Sequence, residues 1–134
     1  MKVLLDEGVP RRLVSALTDL GVDAHRFPRE WFGMRNGQLI ALLEKLGFSV
    51  LLTNDKNIAS QQNLSGQSLA IVALPHNRQP DILQRADDIA DTILRARPGQ
   101  HVLMAWDGSR TVIETLDGRP AQTTMLPVRP FASR

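Results

Sequence analysis

A chain of 134 residues with 43% apolar content and a formal charge of only +2 is long enough to bury a core as one domain without cross-links. It contains no cysteine, which excludes disulfides and thiolate zinc sites and fits a reducing cytoplasm. No apolar stretch approaches the roughly 18 residues that span a bilayer, and "MKVLLDEG" reaches an acid too early for a signal peptide. A cytoplasmic protein without membrane contact is therefore expected, and the mild basic excess permits a nucleic-acid partner without demanding one.

In chain order, "KVLL" is a short apolar run that ends on Asp6-Glu7-Gly8, with Pro10 placed where a helix's first turn tolerates a missing N–H. From about Val9 to Leu20 the apolar residues Val9, Leu13, Ala16, Leu17 and Leu20 share one helical face, and Gly21 ends the helix. "VDAHRF" reads as a short strand and "PREWFGMRNG" as a loop of aromatic and basic character. A second helix is predicted from about Asn36 to Leu46 with Gly47 as its stop, followed by the strand "SVLLT". Residues 54–68 are polar and read as one short helical turn plus loop. "LAIVAL" is a fourth buried strand stopped by Pro75.

A third helix is expected over about Asp81 to Arg97, with Ile82, Ala86, Ile89, Ala90 and Ile93 inward and the pairs Asp81–Arg85 and Asp91–Arg95 at i, i+4 on the other side. "HVLMAW", the turn "DGS", "RTVIETL" and the turn "DGRP" read as a β-meander, because Asp-Gly pairs between β-rich runs are strong hairpin signals. The tail from Thr123, with Pro127 and Pro130, is expected to be loosely held. Alternating strands and helices favour a mainly parallel sheet with helices on both faces.

Ligands gather outside the carboxyl ends of the strands of such sheets. If the first and third strands are neighbours, about 5 Å apart, then Asp6, Glu7 and Asp55 face one crevice. Such a cluster repels itself unless protons or a cation offset the charge, and oxygen-only ligands suit Mg²⁺ or Mn²⁺. Metal-assisted phosphodiester hydrolysis is the natural chemistry. The competing reading makes each acid a helix cap or turn residue.

The stretches "VLLDEGVPRRLVSALTDLGVDAHR", "NGQLIALLEKLGFSVLLTNDKN" and "LAIVALP", in this order and spacing, resemble PIN-like domains related to VapC-type toxin ribonucleases. The resemblance implies a three-layer α/β/α sandwich over residues 1–116, with 117–134 as a C-terminal strand or tail packed on or extending it. It also implies a Mg²⁺- or Mn²⁺-dependent ribonuclease site carried by Asp6, Glu7 and Asp55, and a toxin paired with an antitoxin protein. Two departures matter. Where the family brings a further acid at the start of the second helix this chain has Asn36 or Gln38, and Asn57 stands where a second Asp is frequent. An amide oxygen can still ligate, so Asn36 and Asn57 complete the candidate metal set. Each lacks the charge and basicity of a carboxylate, which lowers metal affinity and leaves open an inactive module that binds RNA or protein.

For substrate, the loop "RFPREWFGMR" brings Arg26, Arg29 and Arg35 beside Phe27, Trp31 and Phe32, a pattern suited to single-stranded RNA. The same rings could instead cover the sheet, and both readings stand. Arg11, Arg12 and Lys56 are further candidates for phosphate contact. His76 alone of the three histidines falls at the site rim, while Met104 and Trp106 read as core or interface, and with Leu126 and Phe131 they make a homodimer an expectation. A phosphoacceptor receiver domain is rejected, since the fourth strand ends "VALPHN" and the next β-run "AWDG". No Gly-x-Gly-x-x-Gly turn or Walker-type motif occurs.

Overall fold

The computed structural model describes residues 1–58, 64 and 66–131. Of the stretch 54–68, where one helical turn is expected, residues 59–63 and 65 lie outside those described. The elements run β1 (Lys2–Leu5), α1 (Leu13–Asp19), β2 (Asp23–His25), a 3₁₀ turn (Arg29–Trp31), α2 (Asn36–Lys45), β3 (Val50–Thr53), β4 (Ala70–Ala73), α3 (Gln79–Gln84), α4 (Ala86–Arg95), β5 (His101–Met104), β6 (Arg110–Leu116) and β7 (Arg119–Met125). No described helix is long and apolar enough to cross a membrane.

The strands form one sheet in the order β2-β1-β3-β4-β5-β6-β7. Pairing is parallel from β2 through β5 and antiparallel for β5–β6 and β6–β7. The sheet is therefore mixed rather than mainly parallel, because the two antiparallel members are its longest strands, seven residues each. Strands β3 and β4 are buried at every position, which is why they read as unbroken apolar runs rather than alternating ones. Alternate residues go to opposite faces. Val3, Leu5, Val50, Leu52 and Val72 join one cluster with Leu13 and Leu17 of α1, Ile82 of α3 and Ile89 and Ile93 of α4. Leu4, Leu51 and Ile71 join the other with Leu39, Ile40 and Leu43 of α2.

The single helix expected over 81–97 is two. Arg85, at φ −111° and ψ 22°, ends α3 and opens α4, so the Asp81–Arg85 pair loses its i, i+4 geometry. Arg85 instead donates Nε to Pro130 O at 3.1 Å. The Asp91–Arg95 pair, on the unbroken α4, does form at 3.0 Å.

The loosely held tail is also corrected. Asp117 and Gly118 both take positive φ, 51° and 76°, the two-residue turn that matches strand twist, and β7 pairs with β6 along its whole length. Beyond it the chain is pinned residue by residue. Arg110, only 4% exposed, donates Nε and Nη2 to Leu126 O at 2.8 and 2.6 Å, and Nη1 to Asp91 Oδ2 at 2.8 Å and Thr92 Oγ1 at 3.1 Å. Val128 N donates to Gly108 O and Phe131 N to Trp106 O, both at 2.9 Å. Gly108 has φ 88° and a Cβ there would lie 2.0 Å from Val128 O, so no other residue fits that turn. Arg129 pairs with Asp87 and Asp88. Met104, read as core or interface, and Phe131, expected to offer apolar surface, are 1% and 2% exposed and belong to the core, because the returning tail covers this end of β5.

Replacing Arg110 with Met should lower stability by about 2–3 kcal/mol, since Leu126 O and Asp91 lose a charged donor while Asp91 keeps Arg95. Urea denaturation measures the loss, and limited proteolysis should find new cleavage within 126–131. An intact tail in a folded variant would show that the clamp is dispensable.

His101 is 4% exposed, its Nε2 has no hydrogen-bond partner among the described residues, and burial holds its pKa below the usual 6.5. Burial does the same to His76. In the folded state the neutral ring is favoured, so between the lowered folded pKa and 6.5 the unfolded chain binds more protons and stability rises with pH. The melting temperature should thus be flat in this respect above pH 6.5 and fall as pH drops below it. His101→Phe should flatten that decline, and an unchanged slope would remove His101 as its cause.

Candidate functional site

The site grows from the pairing of β1 with β3. Their register sets Leu5 opposite Leu52, and Asp6 N donates to Leu52 O at 2.8 Å as the last rung. Thr53, fully buried at the end of β3, cannot leave its hydroxyl unpaired. It donates Oγ1 to Asp6 Oδ2 at 2.8 Å and accepts from Asp55 N at 3.1 Å. Asp6 Oδ1 accepts from Glu7 N at 2.9 Å, and Asp55 Oδ1 accepts from Asn57 N at 2.9 Å. Asp6 and Asp55 therefore stand at the carboxyl ends of adjacent parallel strands, each oriented by its own turn and linked through one hydroxyl. Sequence reasoning missed Thr53. The available signal was a polar, β-branched residue closing an otherwise apolar strand beside an acid.

Asn54 closes over the turn after Asp6, since a Cβ at Gly8 would come within 2.6 Å of Asn54 Oδ1. A side chain there would displace the Asn54 amide, and φ does not call for glycine at this position. Glu7 is exposed.

Beside the acids opens a cleft of about 460 Å³. One wall is Asp6, Glu7, Val9 and Arg11; the other is Arg26, Phe27, Arg29 and Phe32 from the loop after β2. Arg11 and Arg26 continue into a neighbouring depression with Arg12. Arg11, Arg12, Arg26 and Arg29 are exposed and make no ion pair among the described residues. Phe27 stacks on Phe32 with centroids 5.7 Å apart, and Phe32 is 58% exposed. Trp31 meets Phe27 edge-on at 6.0 Å and packs with Phe27 and Met34 against the second core cluster. The two readings of this loop thus divide between residues: Trp31 covers the core and Phe32 presents a free ring.

Arg35 precedes α2 as its N-cap and Asn36 is the helix's first residue; neither lines the cleft. Lys56 is exposed in the turn between Asp55 and Asn57. His76 follows β4 as Asp55 follows β3, because Thr53 pairs with Ala73 and Leu74 N donates to Thr53 O at 2.7 Å. Its Nδ1 accepts from Arg78 N at 3.0 Å and its ring lies 4.1 Å from Trp106. Burial lowers its pKa, with Arg78 and Lys56 reinforcing the shift against Asp81. The bond from Arg78 N to Nδ1 ties the ring to the loop after β4. The carboxyl edge thus reads, strand by strand, Arg26 to Phe32 after β2, Asp6 after β1, Asp55 after β3, His76 after β4 and Trp106 after β5.

Among the described residues no group of three or more His, Asp or Glu side chains is disposed to hold a metal ion. The donor set at Asp6 and Asp55 is oxygen-only and sparse, with each acid already accepting hydrogen bonds but retaining lone pairs. The set's chemistry is of the hard oxygen type that Mg²⁺ and Mn²⁺ take, with waters supplying the rest of their shell. It does not fit an ion that needs a closed protein cage. Comparison with protein-family models, with curated proteins and with solved structures finds no match.

Proposed function

We propose that this chain is a PIN-like, three-layer α/β/α domain acting on single-stranded RNA in the cytoplasm, as a Mg²⁺- or Mn²⁺-dependent endoribonuclease of low intrinsic rate. The observation that carries the reading is the junction at Asp6, which bonds through Thr53 toward Asp55 and also lines a cleft of unpaired arginines and a stacked phenylalanine pair. When bound, a divalent ion would polarise a phosphoryl oxygen and lower the pKa of a bound water. The chain's own residues do the rest. Asp6 and Asp55 present carboxylates from fixed turns, Arg11, Arg26 and Arg29 neutralise phosphates, and Phe32 offers its face to a base. By resemblance to toxin ribonucleases, a separately encoded antitoxin is the proposed protein partner.

A second reading, an inactive module that binds RNA or protein, is favoured by a specific observation: among the described residues no three acids are disposed to hold one ion, and Asn36 and Asn57 occupy positions where the resemblance would supply more. The two readings share the cleft and differ in the acids.

Asp55→Asn should abolish Mn²⁺-dependent cleavage of single-stranded RNA while leaving the melting temperature unchanged or raised, because an amide oxygen still accepts from Asn57 N and one like charge is removed. Asn57→Asp should tighten Mn²⁺ binding in calorimetry, and Asn36→Asp should do so to the extent that α2 reaches the ion. Absence of cleavage in the wild type, with RNA binding retained, would decide for the inactive module. Cleavage that persists in chelator would eliminate the carboxylate mechanism.

RNA affinity itself should depend on the cleft. Arg26→Glu should weaken binding about tenfold or more and reduce the salt dependence of log K by about one phosphate contact. Phe32→Ala should cost about 1–3 kcal/mol, the value of one stacked base, with little change in salt slope. Fluorescence anisotropy at several salt concentrations separates the two effects, and equal affinities for wild type and both variants would place the RNA elsewhere.

A further inference from the structure

The sheet has two edges, and they are built differently. β2 is three residues long and carries Asp23 paired with His25 at 2.9 Å, a short charged edge of the kind that discourages pairing. β7 is seven residues, mostly exposed, and its stretch 121–125 has no charge, glycine or proline. Its amino-terminal half holds Pro120, paired across from Thr115. A proline cannot donate into a ladder, so its nitrogen side faces away from β6. Backbone groups alternate sides along a strand. The N–H and C=O of Gln122 and Thr124 therefore point outward, while Ala121, Thr123 and Met125 bond to β6.

We infer that β7 is the edge through which two copies of this chain associate, antiparallel about a two-fold axis at Thr123. In that register Gln122 of each copy exchanges both its backbone bonds with Thr124 of the other, and the ladder stops short of Pro120, which has no N–H to give. The charges agree. Arg119, the only ionised side chain on the strand, falls opposite residue 127 of the second copy rather than opposite a like charge. Leu126, 83% exposed, falls opposite Pro120 of the second copy. The edge is held ready because Arg110 grips Leu126 O from the buried side, which fixes the end of the strand. This inference is independent of the nucleic-acid reading, and it moves the expected homodimer contact from Met104 and Phe131, which are buried, to β7.

Sedimentation velocity over a wide concentration range tests it on the intact chain. The wild type should reach twice the monomer mass as concentration rises. Gln122→Pro and Thr124→Pro each remove an outward N–H without touching the β6 ladder, as Pro120 already does, and each should remain monomeric at concentrations where the wild type is dimeric, with unchanged circular dichroism. Thr123→Lys, at an exposed side chain, sets like charges across the axis and should dissociate the dimer in low salt, which keeps the test open should the prolines misfold. A wild type that stays monomeric throughout, or a dimer that survives in any of these folded variants, overturns the inference.

Discussion

The hydroxyl of Thr53 is the point on which the arrangement turns. It is fully buried at the end of a strand whose every position is buried, and an unpaired hydroxyl there would cost about 1–3 kcal/mol. Asp6 supplies its acceptor. That bond is available only in the observed β1–β3 register, because a slip of one residue would send Leu4 and Leu51 to the face now occupied by Val3, Leu5, Val50 and Leu52. Both faces are packed by helices, so neither tolerates the exchange. The register that fills the two cores is thus the register that sets Asp6 and Asp55 at the ends of adjacent strands.

The antiparallel half of the sheet serves a different purpose. Its strands carry the chain away from the parallel edge and back, so that residues 126–131 return over the end of β5. Arg110 makes this return possible, since one buried guanidinium satisfies the Leu126 carbonyl, the Asp91 carboxylate and the Thr92 hydroxyl together, and the planar fork of arginine suits such divided donation. Asp91 answers by titrating below its usual range, chiefly through that bond. The tail then reaches the carboxyl edge itself, where Phe131 meets Trp106 through its backbone and His76 through its ring. Tail and edge are one packed unit.

What the sequence discloses follows the range of the forces involved. β1, β3 and β4 are legible because a strand buried on both faces needs an unbroken apolar run, and "KVLL", "VLLT" and "AIVA" are such runs. α2 is legible for the opposite reason, one apolar face and a stop. The break at Arg85 is not legible, because the apolar period continues through it and the contact at Pro130 O lies far along the chain. The tail misleads likewise: two prolines argue for looseness, while the residue that holds it, Arg110, looks like any solvated arginine. At the site the acids announce themselves by position after strands, but Thr53 reads as a β-former and Trp31 and Phe32 are indistinguishable until the core takes one of them.

The division of charge along the carboxyl edge bears on why so few acids are present. Arginines crowd the β2 side of Asp6, while Asp55, Asn57 and Lys56 lie on its β3 side, so Asp6 is the residue common to the cationic cleft and the acidic pair. On the proposed reading, a phosphate drawn in by Arg11 and Arg26 arrives beside Asp6 carrying its own negative oxygens. Those oxygens are ligands of the same hard type as a carboxylate. A fuller acidic ring would hold an ion tightly before substrate came, but it would also repel the phosphate it must receive. With two carboxylates and neutral amides the balance would shift: an ion would bind weakly alone and the phosphate would meet less repulsion. On that reading Asn57, which breaks the expected acidic pattern, would exchange resident metal affinity for dependence on the substrate, and the same exchange carried further would leave a surface that binds without cutting.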